Sequence, residues 1–339
     1  MRIEIIYNEL QKKLTNVQMK TPKIFFIIKE SKIILAIFIL FFSLAALIPN
    51  IGRLDQHGDE KMYVWKAHYY GQRIAHLDFS GGTDNYLDPG FSPFYYWSVD
   101  QPFGCNIIYA VAMAVTSSPP PSLPYSYNDV TLQGPETEIP IKTLYATRFA
   151  AVLCAALGLA LISLQFGWNS FIPIIVLLAF PSTRDSFSRV WAEGPLMLGF
   201  GLCATAYRSK WFPVTLGIAS AFKFTAFGLW PLMFINNSCG KEFKWRRLLS
   251  IFVAIIILIF LTPVAWFNGG PVYIIFMIIH RILTWYSQSQ SIPTINGIFF
   301  PERYAWPFEL IAFLLISQFI TYYLEKVHKK SNQPPKLLP

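Results

Sequence analysis

From Ile33 to Pro49 the chain carries no charged residue, and a run of that length and composition can cross the apolar core of a bilayer as one helix. Some thirty mostly polar residues precede it and no small-residue cleavage site ends it, so it reads as an anchor kept in the mature protein, not as a cleaved leader. Met1 to Lys32 hold seven Lys or Arg against three Glu. By the positive-inside rule this basic segment stays in the cytoplasm and the first span leads outward.

Further apolar runs follow with the same punctuation. Ile51 to Tyr145 is polar, aromatic and rich in Pro and Gly, with nearly pure loop from Ser117 to Pro140. Ala146 to Phe166 returns inward, Phe171 to Phe180 goes out, and Trp191 to Tyr207 comes back to a turn marked by Arg208 and Lys210. Trp211 to Asn236 is too long and too interrupted for one span, and Lys223 at its centre suggests two short helices meeting near the outer face. Lys241, Lys244, Arg246 and Arg247 fall inside, Leu248 to Trp266 leads out, and Tyr304 to Leu324 returns to a basic tail.

The expected fold is an all-α polytopic membrane protein, a helical bundle of about eight transmembrane helices with juxtamembrane helices on the outer face. Its divisions are a cytoplasmic basic segment over 1–32, a first transmembrane helix over 33–50, an outer catalytic loop over 51–145, a bundle over 146–325 with a second outer loop at 267–303, and a cytoplasmic tail over 326–339. Composition agrees: 54% of residues are hydrophobic and 14% charged, beyond the balance of a soluble domain. The formal charge of +9 does not indicate nucleic acid, because the cations flank hydrophobic segments instead of pooling on one domain. Four scattered Cys make neither a disulfide framework nor a metal motif.

This topology brings ionisable residues from separated segments to one membrane level: Asp59 and Glu60, Asp100, Arg189 with Glu193, and His280, with Lys223 joining from below. Charge near hydrocarbon is expensive, so such a group marks either a functional site or a paired structural network. Asp59 and Glu60 follow the first span. A carboxylate there either caps a helix start or acts as a general base on an acceptor hydroxyl or amine. Neighbours on a helix point about 100° apart, so one of the two is catalytic and the other supports it. Tyr63, Trp65, Tyr69 and Tyr70 read as aromatics that sink a helix into the interface. His57, His68 and His76 lack a tight metal spacing and read as solvated or interfacial. Asp100 stands near a cap position ahead of Pro102, and His280 lies on an apolar helix. Capping and packing explain those two. So does a partial ligand set for a divalent cation with open positions for phosphate oxygens.

The order of these segments resembles the GT-C superfamily of membrane glycosyltransferases, in particular the relatives of the lipid A aminoarabinose transferase and of the protein O-mannosyltransferases (glycosyltransferase family 39-like). Asp59-Glu60 after the first span, with Tyr63 following, looks like the family's Asp-Glu pair and its aromatic. Asp100 in DQPFG is similar to the acid before a Pro-containing helix start, and Lys223 in FKFTAFGLWP to the Lys ahead of a short span. Arg189 and Glu193 in SRVWAEGPL resemble an outer-loop pair, and His280-Arg281 a late outer motif. The sequence departs at Gln101, where the family often has a basic residue, and at Phe103 in place of a second Pro.

The resemblance implies a sugar moved from a polyprenyl-phosphate donor to a glycan, lipid or protein acceptor at the non-cytoplasmic face of the plasma (inner) membrane. Asp59 would be the base with Glu60 beside it, and Asp100 and His280 would hold a divalent metal ion, the one cofactor implied. Lys61, Tyr63, Gln101, Arg189, Glu193, Lys223 and Arg281 would bind substrate. Partners are then the donor, its acceptor and membrane lipids, with no nucleic acid. Two other classes fit membrane-embedded charge: a lipid or sugar transporter, which places its charges at mid-bilayer, and a non-catalytic subunit of a glycan-assembly complex.

Overall fold

The computed structural model describes residues 31–56, 58–77, 104–121, 139–207, 209–232, 243–262 and 279. The basic N-terminal segment, most of loop 267–303, the expected span Tyr304 to Leu324 and the tail lie outside the described residues, and so do Asp100, Gln101, His280 and Arg281. Among the described residues the chain is helical, with no strand.

Helix α1, Ser31–Arg53, has 23 residues and is about 34 Å long at 1.5 Å per residue. It buries Leu35, Ile39, Ser43, Leu47 and Ile51, one position in every four, and turns Ile33, Ile34, Ile37, Phe38, Phe41 and Ile48 outward. An apolar face this continuous suits hydrocarbon better than water. Helix α4, Ile141–Phe166, continues through a 3-10 turn at Gly167–Ser170 into α5, Phe171–Ala179. The 39-residue stretch Ile141–Ala179 and α1 are, among the described residues, the two helical stretches long and apolar enough to cross a membrane. At the bend Gly167 takes a φ of 61°, where the side chain of most other residues would be strained.

Helices α1 and α4 are antiparallel. At one end Lys32 Nζ donates to the Gln165 carbonyl at 3.2 Å. At the other Arg148, on the second turn of α4, reaches the Ile51 carbonyl at 2.7 Å. In the sequence-derived topology these are the inner and outer ends, and the names are kept for the geometry that follows. From the inner end α5 leads back to α6, Pro181–Ser188, which meets the last turns of α1: Ser188 Oγ donates to the Leu47 carbonyl at 3.1 Å and Asn50 Nδ2 to Asp185 Oδ1 at 3.4 Å.

Helix α7, Glu193–Ala206, then runs parallel to α4. Gly194 lies on the Ala151 carbonyl and Gly201 on that of Gly158, so closely that any Cβ at either glycine would come within 3.0 Å. Small residues let two helix backbones approach and gain dispersion contacts where there is no water to expel. Helix α8, Phe212–Phe222, returns antiparallel to α7, with Ala219 against Gly199, and α9, Phe243–Phe260, packs on Gly217. The expected break at Lys223 is present: its backbone is extended, and the next residues form a 3-10 turn, Phe224–Leu229. That turn folds back, for Trp230 Nε1 donates to Ser220 Oγ at 2.9 Å.

Beside the outer ends lie α2, Gly58–Ala75, and α3, Gly104–Val115, packed together where Gly71 meets Ala110 and where the rings of Tyr63 and Tyr109 stand 6.4 Å apart edge to face. Glu60, Lys61 and every residue from Tyr63 to Ala67 are buried, so most of the first half of α2 is enclosed, with Asp59 and Met62 partly exposed. This revises the reading of two of its aromatics as interface anchors: Tyr63 and Trp65 are 3% and 4% exposed and belong to a protein core, while the side chains of Tyr69 and Tyr70 lie outside what is described.

Candidate functional site

The link between α1 and α2 is only a few residues long, and two arginines from distant elements fasten it. Arg148, 1% exposed, donates through Nη1 to the carbonyls of Ile51 (2.7 Å) and Leu54 (2.8 Å) and through Nη2 to that of Asp55 (2.9 Å). These carbonyls at the end of α1 have no partner within the helix, and a buried guanidinium supplies one. The same side chain grips Glu60 with Nε to Oε1 at 2.9 Å and Nη2 to Oε2 at 2.7 Å, a two-point geometry that only arginine offers.

Glu60 is fully buried, and it also accepts the Val190 N–H at 2.9 Å and one bond from Arg189 Nη1 at 3.3 Å. Its charge is therefore compensated from three sides, as a carboxylate out of water requires. Arg189, from the α6–α7 connection, gives the same Nη1 to the Asp55 carbonyl at 2.7 Å and lies 5.5 Å from the Trp191 ring centre. Its Nε and Nη2 make no hydrogen bond with a described residue.

Helix α2 begins at Gly58, so Asp59 and Glu60 occupy its first turn, where both carboxylates favour the positive end of the helix. As the 100° offset demands, they diverge: Glu60 points into the protein and Asp59 stays partly exposed. The second ion pair lies close by. Glu193, at the start of α7, meets Lys223, at the end of α8, at 2.5 Å, with the side chains 4% and 12% exposed. Tyr109 donates its hydroxyl to the Trp191 carbonyl, so α3 is tied to the same connection that carries Arg189. Lys61 and Lys66 are buried in α2 at 9% and 2% exposure.

Burial pushes the Tyr63 hydroxyl well above its usual pKa, and Cys105, Glu193 and Asp59 add to the shift through their charge. The phenol is thus a neutral hydrogen-bond donor at any physiological pH. Burial alone lowers the pKa of His68, further along α2. His68 borders an apolar cleft of about 430 Å³ between α2 and α3, where Gln72, Ser117 and Ser118 are the other polar groups.

Of the residues expected at the site, the structure brings together Asp59, Glu60, Lys61, Tyr63, Arg189, Glu193 and Lys223 at the outer end. Asp100, Gln101, His280 and Arg281 lie outside the described residues. Among the described residues no three His, Cys, Asp or Glu side chains are grouped so as to hold a metal ion. Sequence reasoning passed over Arg148, Lys66 and Tyr109. Arg148 had a signal, a lone arginine at the start of an apolar run with no acid nearby in sequence, and an isolated charge of that kind demands a partner from elsewhere. Compared with known proteins, the chain matches no family model, no curated protein and no solved structure.

Proposed function

We propose that the chain is a multi-pass membrane glycosyltransferase of GT-C type, with about eight spans. It moves a sugar from a polyprenyl-phosphate donor to a lipid, glycan or protein acceptor at the non-cytoplasmic face of the plasma (inner) membrane. The observation that carries this reading is one juxtaposition. A partly exposed carboxylate, Asp59, precedes a buried one, Glu60, that is tied to Arg148 and to Arg189, and Arg189 keeps its Nε and Nη2 uncommitted among the described residues.

In this reading Asp59 is the general base and Glu60 its support. Asp59 takes the proton from the acceptor hydroxyl or amine, and the acceptor atom bonds to the anomeric carbon as the bond from that carbon to the phosphate oxygen breaks. The polyprenyl phosphate leaves with the electron pair of that bond, and the configuration inverts. Arg189, already oriented, meets the charge that grows on the departing phosphate and needs no reorganisation at that moment. Lys223 joins it only by exchanging Glu193 for a phosphate oxygen, while Lys61 and Lys66 keep the potential of the site positive. The donor's tail stays in hydrocarbon, so no nucleotide-binding loop is called for.

A divalent ion held by Asp100 and His280 would add further stabilisation of the leaving phosphate. Each step above is carried by the chain's own residues. A transporter would set its charges near mid-bilayer, whereas the ion pairs among the described residues gather at the outer ends of α1, α4 and α7, which favours the enzyme.

The test is Asp59→Asn in cells, with mass analysis of lipid-linked sugars and surface glycans. Transfer falls by about a hundredfold or more, the usual scale for loss of a general base, so the donor accumulates and the glycan is shortened. A normal glycan at normal protein level would sink the enzyme reading and leave a non-catalytic subunit.

A further inference from the structure

We infer that the inner end of the α1–α4 pair holds an anionic phospholipid of the cytoplasmic leaflet, with its phosphate on Lys32 and an acyl chain along the rings of Trp168, Phe171, Phe38 and Phe42. The inference rests on the membrane placement proposed above but not on the transferase chemistry. Printed contacts run without a break from the charge to the rings. The Lys32 stem lies over Gly167, where an added Cβ would stand 3.3 Å from the lysine Cε. Trp168 follows in the same 3-10 turn. Its ring centre is 5.7 Å from that of Phe171, which is 6.1 Å from Phe38, in turn 6.0 Å from Phe42. The array is open to its surroundings: Trp168 and Phe38 are 62% and 51% exposed, and Phe171 and Phe42 are half-buried.

Two features select the occupant, and the first is charge. Lys32 Nζ gives one N–H to the Gln165 carbonyl, and its other two have no partner among the described residues. The carboxylates of the described residues, Asp55, Asp59, Glu60, Asp185 and Glu193, all stand toward the outer end. The inner cation therefore meets no carboxylate among them, whereas the cytoplasmic leaflet presents anionic headgroups at its level. The second feature is length. Phe38 and Phe42 lie about 9 Å and about 15 Å beyond Lys32 along α1, at 1.5 Å per residue, and half of the hydrocarbon core is also about 15 Å. Tryptophan favours the level of the headgroups, and Trp168 adjoins the glycine under the lysine stem. Head, interface ring and chain slot thus follow one another in the order of a single lipid. A soluble anion would use Lys32 alone and a neutral lipid the rings alone.

The test uses the full chain in nanodiscs made with equal amounts of phosphatidylglycerol and phosphatidylcholine of the same chain length, with native mass spectrometry of the lipid retained after the disc is stripped. The wild type keeps phosphatidylglycerol over phosphatidylcholine by about fivefold, the scale of one basic residue at a membrane surface. K32Q erases that preference while K32R keeps it, and glycerophosphoglycerol, the same headgroup without chains, does not displace the lipid at millimolar concentration. An undiminished preference in K32Q, its loss in K32R, or displacement by the bare headgroup overturns the site. A wild-type chain released from membranes by alkaline carbonate overturns the membrane placement itself, and the two failures are told apart before any variant is made.

Discussion

The two ends of the antiparallel α1–α4 pair are closed in opposite ways. At the inner end, among the described residues, α1 and α4 are joined by an exposed hydrogen bond, from Lys32 to the Gln165 carbonyl, and nearby aromatics are open, Trp168 at 62% and Trp211 at 59% exposure. The outer end carries a buried arginine that satisfies three carbonyls and one carboxylate. A single exposed bond tolerates movement, because water replaces either partner. A buried charge network does not, since every member left unpaired pays its full desolvation. The difference locates the part of the molecule whose geometry is held fixed, and Asp59 lies in the first turn of the helix that leaves it.

The sharpest way to break the contrast is Arg148→Ala. Glu60 loses its two-point partner, and three carbonyls lose their donor, so the expected cost is about 3–5 kcal/mol, read as a large drop in the unfolding midpoint in detergent. If the midpoint holds, the outer end is not the rigid one. At the inner end Lys32→Ala should shift the same midpoint by no more than about 0.5 kcal/mol. Comparable losses from the two substitutions would erase the asymmetry.

The smallest effect comes from His68 and tests how far burial extends along α2. Its folded pKa is lowered by burial, so below the unfolded value of about 6.5 the unfolded chain takes up a proton that the folded chain refuses. Stability therefore rises with pH through that window and is complete above it. His68→Gln should flatten the acid side of a stability–pH profile while leaving the value at pH 8 in place. An unchanged profile would mean that water reaches His68 freely.

How much of this was legible in the sequence depends on the range of the interaction involved. The first span is local: an uncharged run defines it, and the helix found, Ser31–Arg53, extends the expected 33–50 by a turn or less at either end. The break at Lys223 was also legible, because a lysine inside an apolar stretch cannot stay unpaired. Its pairing with Glu193 was not, since it requires α7 and α8 to be antiparallel neighbours. The split between Asp59 and Glu60 follows from helix geometry, but which of them faces inward is decided by Arg148, 88 residues from Glu60. The enclosure of Tyr63 and Trp65 was hidden for a related reason. An aromatic at a membrane boundary and one in a small protein core have the same sequence signature, and only the packing of α3 against α2 tells them apart.

The distance in sequence between Glu60 and Arg148 also bears on biogenesis. When the first span and the start of α2 have emerged, Glu60 exists without its guanidinium and the end of α1 without its cap. Both wait until the whole outer loop has followed and α4 delivers Arg148. The outer loop is thus bracketed by a fastener whose halves are made at different times, and closing it late leaves that loop free to sort itself before the start of α2 is fixed in place. A truncation ending before Arg148 would keep its first span and lose the register of α2 against α1.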